Sequence, residues 1–520
     1  MTIDFEGIDN RILALPIPEG DYSNLQAGTA GQIYYLEKTA GLPRTRTPGP
    51  RVSMLQRFDL TKRKTETMFK GVGGYYLSHN GKKALILSPP STWSIIDVAG
   101  SPPAPDKGKL NVAAIEVRVE PRTEWRQIFD EAWRINRDYF YDPDMHGADW
   151  KAIKQKYELF LPHLTTRGDL DRLIRSMLSE LAVGHSYLTP GERPRDKKTV
   201  PGGLLGADFE IADGRYRFKK VYGGLNWSPE LRSPLTAPGV DVKAGEYLLA
   251  VRGTDLKPPT SLYSLFENTA NKSIEITVGP NADGTGSRTV TVEPLASEFA
   301  LRNRDWVESN LRKVHKATGG RVAYVYVPNT AGLGHAYFKR YFFPQTDKDA
   351  IIIDERFNGG GQIADYYIDH LRRPFTAMWA TRYGEDIKTP GGAIFGPKVM
   401  LIDETAGSGG DLLPWMFREY KLGPLVGKRT WGGLVGILGF PVLMDGGQVT
   451  APNLAFWTKD GFRVENEGVA PDVDVEQRPA DVIAGRDPQL ERAIQIVLRQ
   501  LEENPPTHLK RPPFPVRVKR

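Results

Sequence analysis

Apolar and polar positions change their period several times along the chain. Up to about residue 105 the apolar runs are short and often alternate with polar positions. Gly, Pro and Asn separate them, which is strand patterning. These runs cover residues 12–15, 32–36, 74–81, 83–87 and 93–97. A strand, an Asn-Gly turn and two further strands predict propeller-type blades, and at about 40–45 residues each some two fit into 1–105. Residues 100–110 are Pro- and Gly-rich and read as a linker. From 122 to 180 the apolar positions recur every three or four residues, as in Trp125, Ile128, Phe129, Ala132, Trp133 and Ile135. That spacing predicts amphipathic helices, with two more over 150–160 and 169–181. At 181–188 the pattern turns back toward a strand.

Residues 200–295 form a β-rich stretch. The segment 245–253, Gly-Glu-Tyr-Leu-Leu-Ala-Val-Arg-Gly, predicts a core hairpin, and Gly203-Leu204-Leu205-Gly206 precedes an edge-type strand. Both resemble a PDZ domain. That resemblance implies capture of an extended peptide on a sheet edge, with the amides of Gly203, Leu204, Leu205 and Gly206 receiving a terminal carboxylate. In 296–500, uninterrupted apolar runs at 322–327, 350–354 and 399–403 predict buried strands. Helices are predicted at 335–343, 363–373 and 411–420. Strand, Gly-rich turn and helix occur in that order twice, the pattern of stacked βα units.

The fold class that follows is multidomain, α+β and α/β. It comprises partial propeller blades over 1–105, a helical domain over 110–198 and a PDZ-like β domain over 200–295. An α/β sandwich domain over 296–500, the candidate for carrying any catalytic residues, and a basic, Pro-rich tail over 501–520 complete it.

Composition narrows the chemistry. None of the 520 residues is Cys, which excludes a disulfide framework, a thiol nucleophile and Cys-ligated zinc. The net charge of +6 is small and, outside the last dozen residues, dispersed, so no nucleic-acid partner is expected. No run approaches the ~18 apolar residues of a membrane span. The opening residues have neither a basic n-region nor an apolar h-region, so the expected location is cytoplasmic. No cofactor or metal is called for. A Walker lysine and a His-Glu-x-x-His motif are both missing, which argues against an NTPase and a metallopeptidase.

Ser408 lies in Gly407-Ser408-Gly409-Gly410-Asp411, after one buried run and before a helix. Tight turns there need glycine, and the following amides point from a helix N-terminus, where an oxyanion is stabilised. A second Gly-rich turn, Asn358-Gly359-Gly360-Gly361, follows the run at 350–354 and lets backbone amides approach a ligand closely. A serine nucleophile needs a base. Of the eight histidines, His185 between Gly184 and Ser186 is the best placed, while His370 beside Arg372 and Arg373 reads as a surface residue. Lys428 is the other candidate base. Glu465, in a strand running into Gly468-Val469-Ala470-Pro471-Asp472, suits orienting a histidine.

Taken together, the helical segment with His185, the PDZ-like unit, Asn-Gly-Gly-Gly, Gly-Ser-Gly-Gly-Asp and Glu-Asn-Glu-Gly-Val-Ala-Pro-Asp resemble the tricorn protease family. The wider group is that of the tail-specific, C-terminal processing peptidases. The resemblance covers nearly the whole chain, with 1–105 similar to the last blades of that family's second propeller. It implies a serine peptidase with Ser408 as nucleophile, His185 as general base and Glu465 as orienting acid. The oxyanion hole it implies is made by the amide of Gly409 with that of Gly360 or Gly361. Its substrates are peptides or unfolded polypeptides, its assembly a homo-oligomer, hexameric in the family, and downstream aminopeptidases are candidate partners. Two positions depart from the family pattern: Gly184 stands where a serine precedes the histidine, and Gly409 replaces the acid after the nucleophile. Gly433 stands where the wider group's Ser-Lys enzymes carry their lysine, which favours His185 over Lys428. The family's preference for basic residues rests on an acid that segment 375–380 lacks, and it is not carried over. A non-catalytic peptide-binding scaffold is the reading from another class.

Overall fold

Strand patterning in the first hundred residues folds into two antiparallel sheets. Strands β1 (Tyr22–Ala27), β2 (Gln32–Lys38), β3 (Ser53–Asp59) and β4 (Lys64–Val72) form a four-stranded meander in sequence order. Strands β5 (Gly74–Leu77), β6 (Lys83–Ser88) and β7 (Thr92–Asp97) form a three-stranded one. Tyr34, Leu55, Met68, Tyr75, Ile86 and Ile96 fill their shared core. This is a computed structural model, which describes residues 4–7, 14–38, 53–100, 102, 107–191, 199–506 and 509–518. Of the strand predicted at 12–15, Ile12 and Leu13 lie outside the described residues, while Ala14 and Leu15 are not in a strand. Strands β3 and β4 carry weaker patterns. In β4, Met68 and Val72 are the buried positions among mostly polar neighbours.

Residues 1–119 form one compact unit and 120–520 another. The second begins with helices α1 (Pro121–Tyr139), α2 (Trp150–Glu158) and α3 (Arg167–Ser179). Ile128, Phe129, Ala132 and Ile135 of α1 and Leu170, Ile174, Met177 and Leu178 of α3 supply one core. A reciprocal cap starts α3: the Thr166 hydroxyl accepts the Asp169 N–H, and the Asp169 carboxylate accepts the Thr166 N–H. Beyond α3 the chain turns into the short strand β8 (Leu188–Thr189).

The next unit is a sheet of β9 (Ala207–Ala212), β10 (Arg215–Val221), β11 (Tyr247–Val251), β12 (Thr254–Asp255), β13 (Ile274–Gly279) and β14 (Arg288–Val292). Its order is β14-β13-β11-β10-β9, with β12 on β11, so β9 is an edge. The hairpin predicted at 245–253 is centred on β11, and Gly245 and Gly253 take φ of +95° and +78°, where glycine is favoured.

The α/β part runs through α4 (Phe299–Ala317), β15 (Val322–Tyr326), α5 (Gly332–Phe342), β16 (Ala350–Asp354) and α6 (Ala364–Leu371). The hairpin β17 (Ala377–Trp379) and β18 (Ile387–Thr389) follows, then β19 (Lys398–Ile402), α7 (Gly409–Glu419) and β20 (Leu425–Gly427). Short strands β21 (Gln448–Val449), β22 (Trp457–Thr458), β23 (Gly461–Phe462) and β24 (Val473–Asp474) precede helices α8 (Pro479–Ile483) and α9 (Pro488–Glu503). Strands β15, β16, β19, β20 and β24 form a parallel sheet in that order, and β15, β16 and β19 are buried throughout, as their unbroken apolar runs require. Strand β21 pairs with β8, which ties the helical segment to the α/β part.

Two expectations need correction. His370 is not a surface residue. It is 8% exposed, its Nδ1 lies 3.1 Å from the Gly392 carbonyl, and its ring packs on Phe338, Phe342, Phe343 and Tyr366. The neighbouring arginines hid the fact that it shares the apolar face of α6 with Tyr367 and Leu371. The strand predicted at Glu465 ends at Phe462. Residues 463–468 form a turn instead, with Val464 at φ +74° and the N–H groups of Glu467 and Gly468 donating to the Val464 carbonyl.

Candidate active site

Strand β19 delivers the chain into a turn that its last neighbour fixes. Asp403 Oδ1 accepts the N–H groups of Phe357, Thr405 and Ala406 at 3.0, 3.2 and 2.9 Å, joining this turn to the glycine run after β16. Ser408 follows at φ +59°, ψ −117°, a conformation that costs an L-residue energy and persists only where its surroundings enforce it. Asp411, fully buried in the first turn of α7, is the enforcing group. Its Oδ2 accepts Ser408 N–H at 2.8 Å and Gly433 N–H at 3.1 Å. Its Oδ1 accepts Gly432 N–H at 2.8 Å and the Thr430 hydroxyl. Burial pushes this carboxyl above its ordinary value, and the four donors pull it back.

The glycine run meets the serine directly. A Cβ on Gly360 would lie 2.7 Å from Ser408 Cβ, so only glycine fits. The Gly360 N–H is committed to Asn358 Oδ1 at 2.9 Å. Gly361, bridged to Thr330, and Gly409, first residue of α7, donate to no described residue. Any Cβ on Gly409 would run into Thr330 Oγ1 and the Gly361 backbone. The space an acid would need there is filled.

His185 stands at φ +53°, and the Thr450 hydroxyl donates to its carbonyl. Its ring lies 5.3 Å from that of Trp431 and 5.8 Å from that of Tyr187, centroid to centroid. Burial lowers its pKa below the ordinary 6.5, with the Glu465 charge acting in the opposite sense. Glu465 Oε1 accepts the Gly184 N–H at 2.6 Å, and Oε2 accepts those of Leu434 and Val435 at 2.7 and 2.9 Å. The carboxylate therefore rests against the backbone beside His185 and influences the ring through its field. His185 Nδ1 and Ser186 Oγ are both buried without a hydrogen-bond partner.

Ser408, Gly360, Gly361 and Gly409 thus form one cluster, and Gly184, His185 and Glu465 a second. Trp431 touches both: its N–H donates to the Ala406 carbonyl at 2.9 Å, and its indole closes over Gly407 and faces His185. No hydrogen bond joins His185 to Ser408 among the described residues, which is common for catalytic pairs without substrate. Lys428 is engaged elsewhere, with Asp474 at 2.9 Å and Glu476 at 3.3 Å. In the PDZ-like loop, Gly203 N–H donates to the Phe266 carbonyl and Leu204 N–H to that of Leu295. Gly206 N–H donates to Glu298. Sequence reasoning did not single out Asp411, although an acid three residues after a helix-capping serine is a readable signal. Asn358 is visible in the sequence only as the head of its glycine run, and Trp431 and Thr330 carry no signal of their own.

Three family profiles match consecutive parts of the chain: Tricorn protease C1 domain over 121–179, Tricorn protease PDZ domain over 203–297 and Peptidase family S41 over 321–475. Tricorn protease homolog 1 of Streptomyces coelicolor is 35% identical over 513 residues, 97% of this chain and 48% of that protein. A tricorn protease homolog of Saccharolobus solfataricus is 32% identical over 509 residues, 96% and 46% respectively. The crystal structure of the tricorn protease superposes with a TM-score of 0.85 at 28% identity, covering 94% of this chain and 47% of that one. The chain belongs to the tricorn protease family. It spans about half the length of these relatives. The S41 match also makes it a member of a family of serine peptidases, and Ser408, Gly361, Gly409 and Glu465 all lie inside that match. His185 falls between the C1 and PDZ matches. No helix among the described residues is long and apolar enough to cross a membrane.

Proposed function

We propose that the chain hydrolyses peptides or unfolded polypeptides through an acyl-enzyme on Ser408. The observation that carries this reading is Ser408 on a strained turn at the head of α7, beside two unspent amides, those of Gly361 and Gly409. His185, held neutral by burial, takes the hydroxyl proton as Ser408 Oγ attacks the scissile carbonyl. The developing oxyanion is received by the Gly361 and Gly409 amides. Each such donor is worth about 10²–10³ in rate. The imidazolium returns its proton to the leaving amine, and a water then cleaves the ester. Glu465 stabilises the imidazolium by its charge. Gly360 supports this geometry by close approach to the serine, its own amide being held by Asn358.

The same proposal reads the sheets of 22–97 as propeller blades and 110–198, 200–295 and 296–500 as helical, PDZ-like and catalytic domains. It takes the working protein as a cytoplasmic homo-oligomer, hexameric by family resemblance, feeding its products to aminopeptidases. The Ser-Lys alternative loses support because Lys428 is paired with two carboxylates. Ser408→Ala tests the central step. It is expected to abolish both peptide turnover and labelling by a fluorophosphonate probe while leaving the circular-dichroism spectrum unchanged. Turnover equal to the parent would sink the assignment.

A further inference from the structure

The loop that resembles a carboxylate receptor is already bonded to a carboxylate of the same chain. Glu298 immediately precedes α4 and is 9% exposed. Its Oε1 accepts the Gly206 N–H at 2.6 Å and the Ala207 N–H at 3.4 Å. Its Oε2 takes Nε and Nη2 of Arg302 at 2.8 and 2.7 Å. Arg302 continues onto the edge strand. Its Nη2 reaches the Ala207 carbonyl at 3.3 Å, and its Nη1 reaches Asp208 Oδ1 at 2.7 Å and the Tyr222 hydroxyl at 2.8 Å. Leu301, 1% exposed, sits against the loop: a Cβ on Gly206 would lie 3.0 Å from Leu301 Cδ1.

A peptide that adds to such an edge brings three things. They are a terminal carboxylate for the loop amides, polar groups for the outward-facing backbone of the edge strand, and an apolar side chain beneath the loop. The first turn of α4 supplies a counterpart of each, in Glu298, Arg302 and Leu301. Their spacing of three and four residues puts them on one helix face. The bonds are charge-assisted and converge on a buried carboxylate, Glu298, although the Arg302 side chain stays two-fifths (40%) exposed.

We propose that Glu298, Leu301 and Arg302 form a built-in ligand of the PDZ-like loop, and that an external peptide C terminus enters only by displacing the start of α4. An attached ligand competes at an effective concentration in the millimolar range or above, which a weakly binding free peptide does not overcome. Helix α4 also packs on the catalytic sheet: Trp306 meets the Tyr326 ring at 4.9 Å, and Asn310 bonds to the Tyr324 hydroxyl. Displacing its first turn therefore disturbs β15, and peptide capture is coupled to the sheet that carries the catalytic turns.

The test is a binding measurement that needs no turnover, so its failure leaves the Ser408 reading untouched. In a Ser408→Ala background, Glu298→Ala and Glu298→Gln are titrated against a fluorescein-labelled random decapeptide pool, made once with free C termini and once with C-terminal amides. Glu298→Ala is expected to bind the free-acid pool about tenfold more tightly than its parent, with no gain for the amidated pool. Glu298→Gln, which keeps an acceptor oxygen without the charge, is expected to fall between. The proposal is overturned if the parent binds the free-acid pool as tightly as Glu298→Ala. It is equally overturned if neither variant gains carboxylate-dependent binding while retaining the parent's circular-dichroism spectrum.

Discussion

At His185, burial and charge act in opposite senses, and burial prevails. In the proposed mechanism His185 is the base and must be unprotonated, so activity is expected to rise as pH rises through the folded-state pKa. Because that pKa lies below 6.5, the acid limb of kcat/KM is expected below pH 6.5. Glu465 holds the value up. Glu465→Gln is therefore expected to move the limb to still lower pH and to reduce kcat, since the imidazolium loses its counter-charge. A limb that stays in place would remove Glu465 from the mechanism. Ser408, Glu465 and the glycine run are candidates by residue type and neighbours, and the sequence names them as such. Which of Gly360 and Gly361 has a free amide was not legible, because it depends on where the Asn358 side chain turns.

Among the elements, the strained turn before α7 depends on one carboxylate. Asp411 bonds to four donors drawn from two loops, and an amide side chain can accept but cannot match both oxygens. Asp411→Asn is expected to lower kcat by about 10²-fold through misplacement of Ser408, with a smaller change in KM. Equal kcat in variant and parent would show that the turn holds without it. Behind the other turn, Arg356 is buried between Asp354 and Asp487 and joins β16 to α9. Arg356→Ala strands two buried carboxylates and is expected to cost about 3–5 kcal/mol in chemical denaturation. The strands β15, β16 and β19 could be read directly because buried parallel strands are apolar throughout. The partners of Asp411 and Arg356 could not, because they come from segments far apart in sequence.

For the molecule as a whole, the carboxyl of Glu355 sets a pH dependence of stability. It is fully buried and makes no regular hydrogen bond. Burial first, and then Asp411, Asp403 and Asp354, push it well above 4.5, against a small pull from Asn358. Above pH 4.5 the unfolded chain ionises this group while the fold keeps its proton, so the fold binds more protons and stability falls as pH rises. Glu355→Gln removes that loss. It is expected to raise Tm at about pH 8 and to leave it unchanged at about pH 4. Equal shifts at both would contradict a neutral buried carboxyl.

The sequence by itself determined the succession of β, helical, β and α/β segments, because hydrophobic period is a local property. It also supplied the residue types that the proposed site uses, because glycine-flanked turns after apolar runs are where a serine and backbone amides can stand close to a ligand. Only the tertiary structure decided that His370 is buried, that Glu465 rests on the Gly184 backbone, that Trp431 spans the two halves of the site and that Glu298 occupies the PDZ-like loop. Each of these is a contact between segments distant in the chain, and the spacing of residues along one strand of sequence carries no record of what packs across from it.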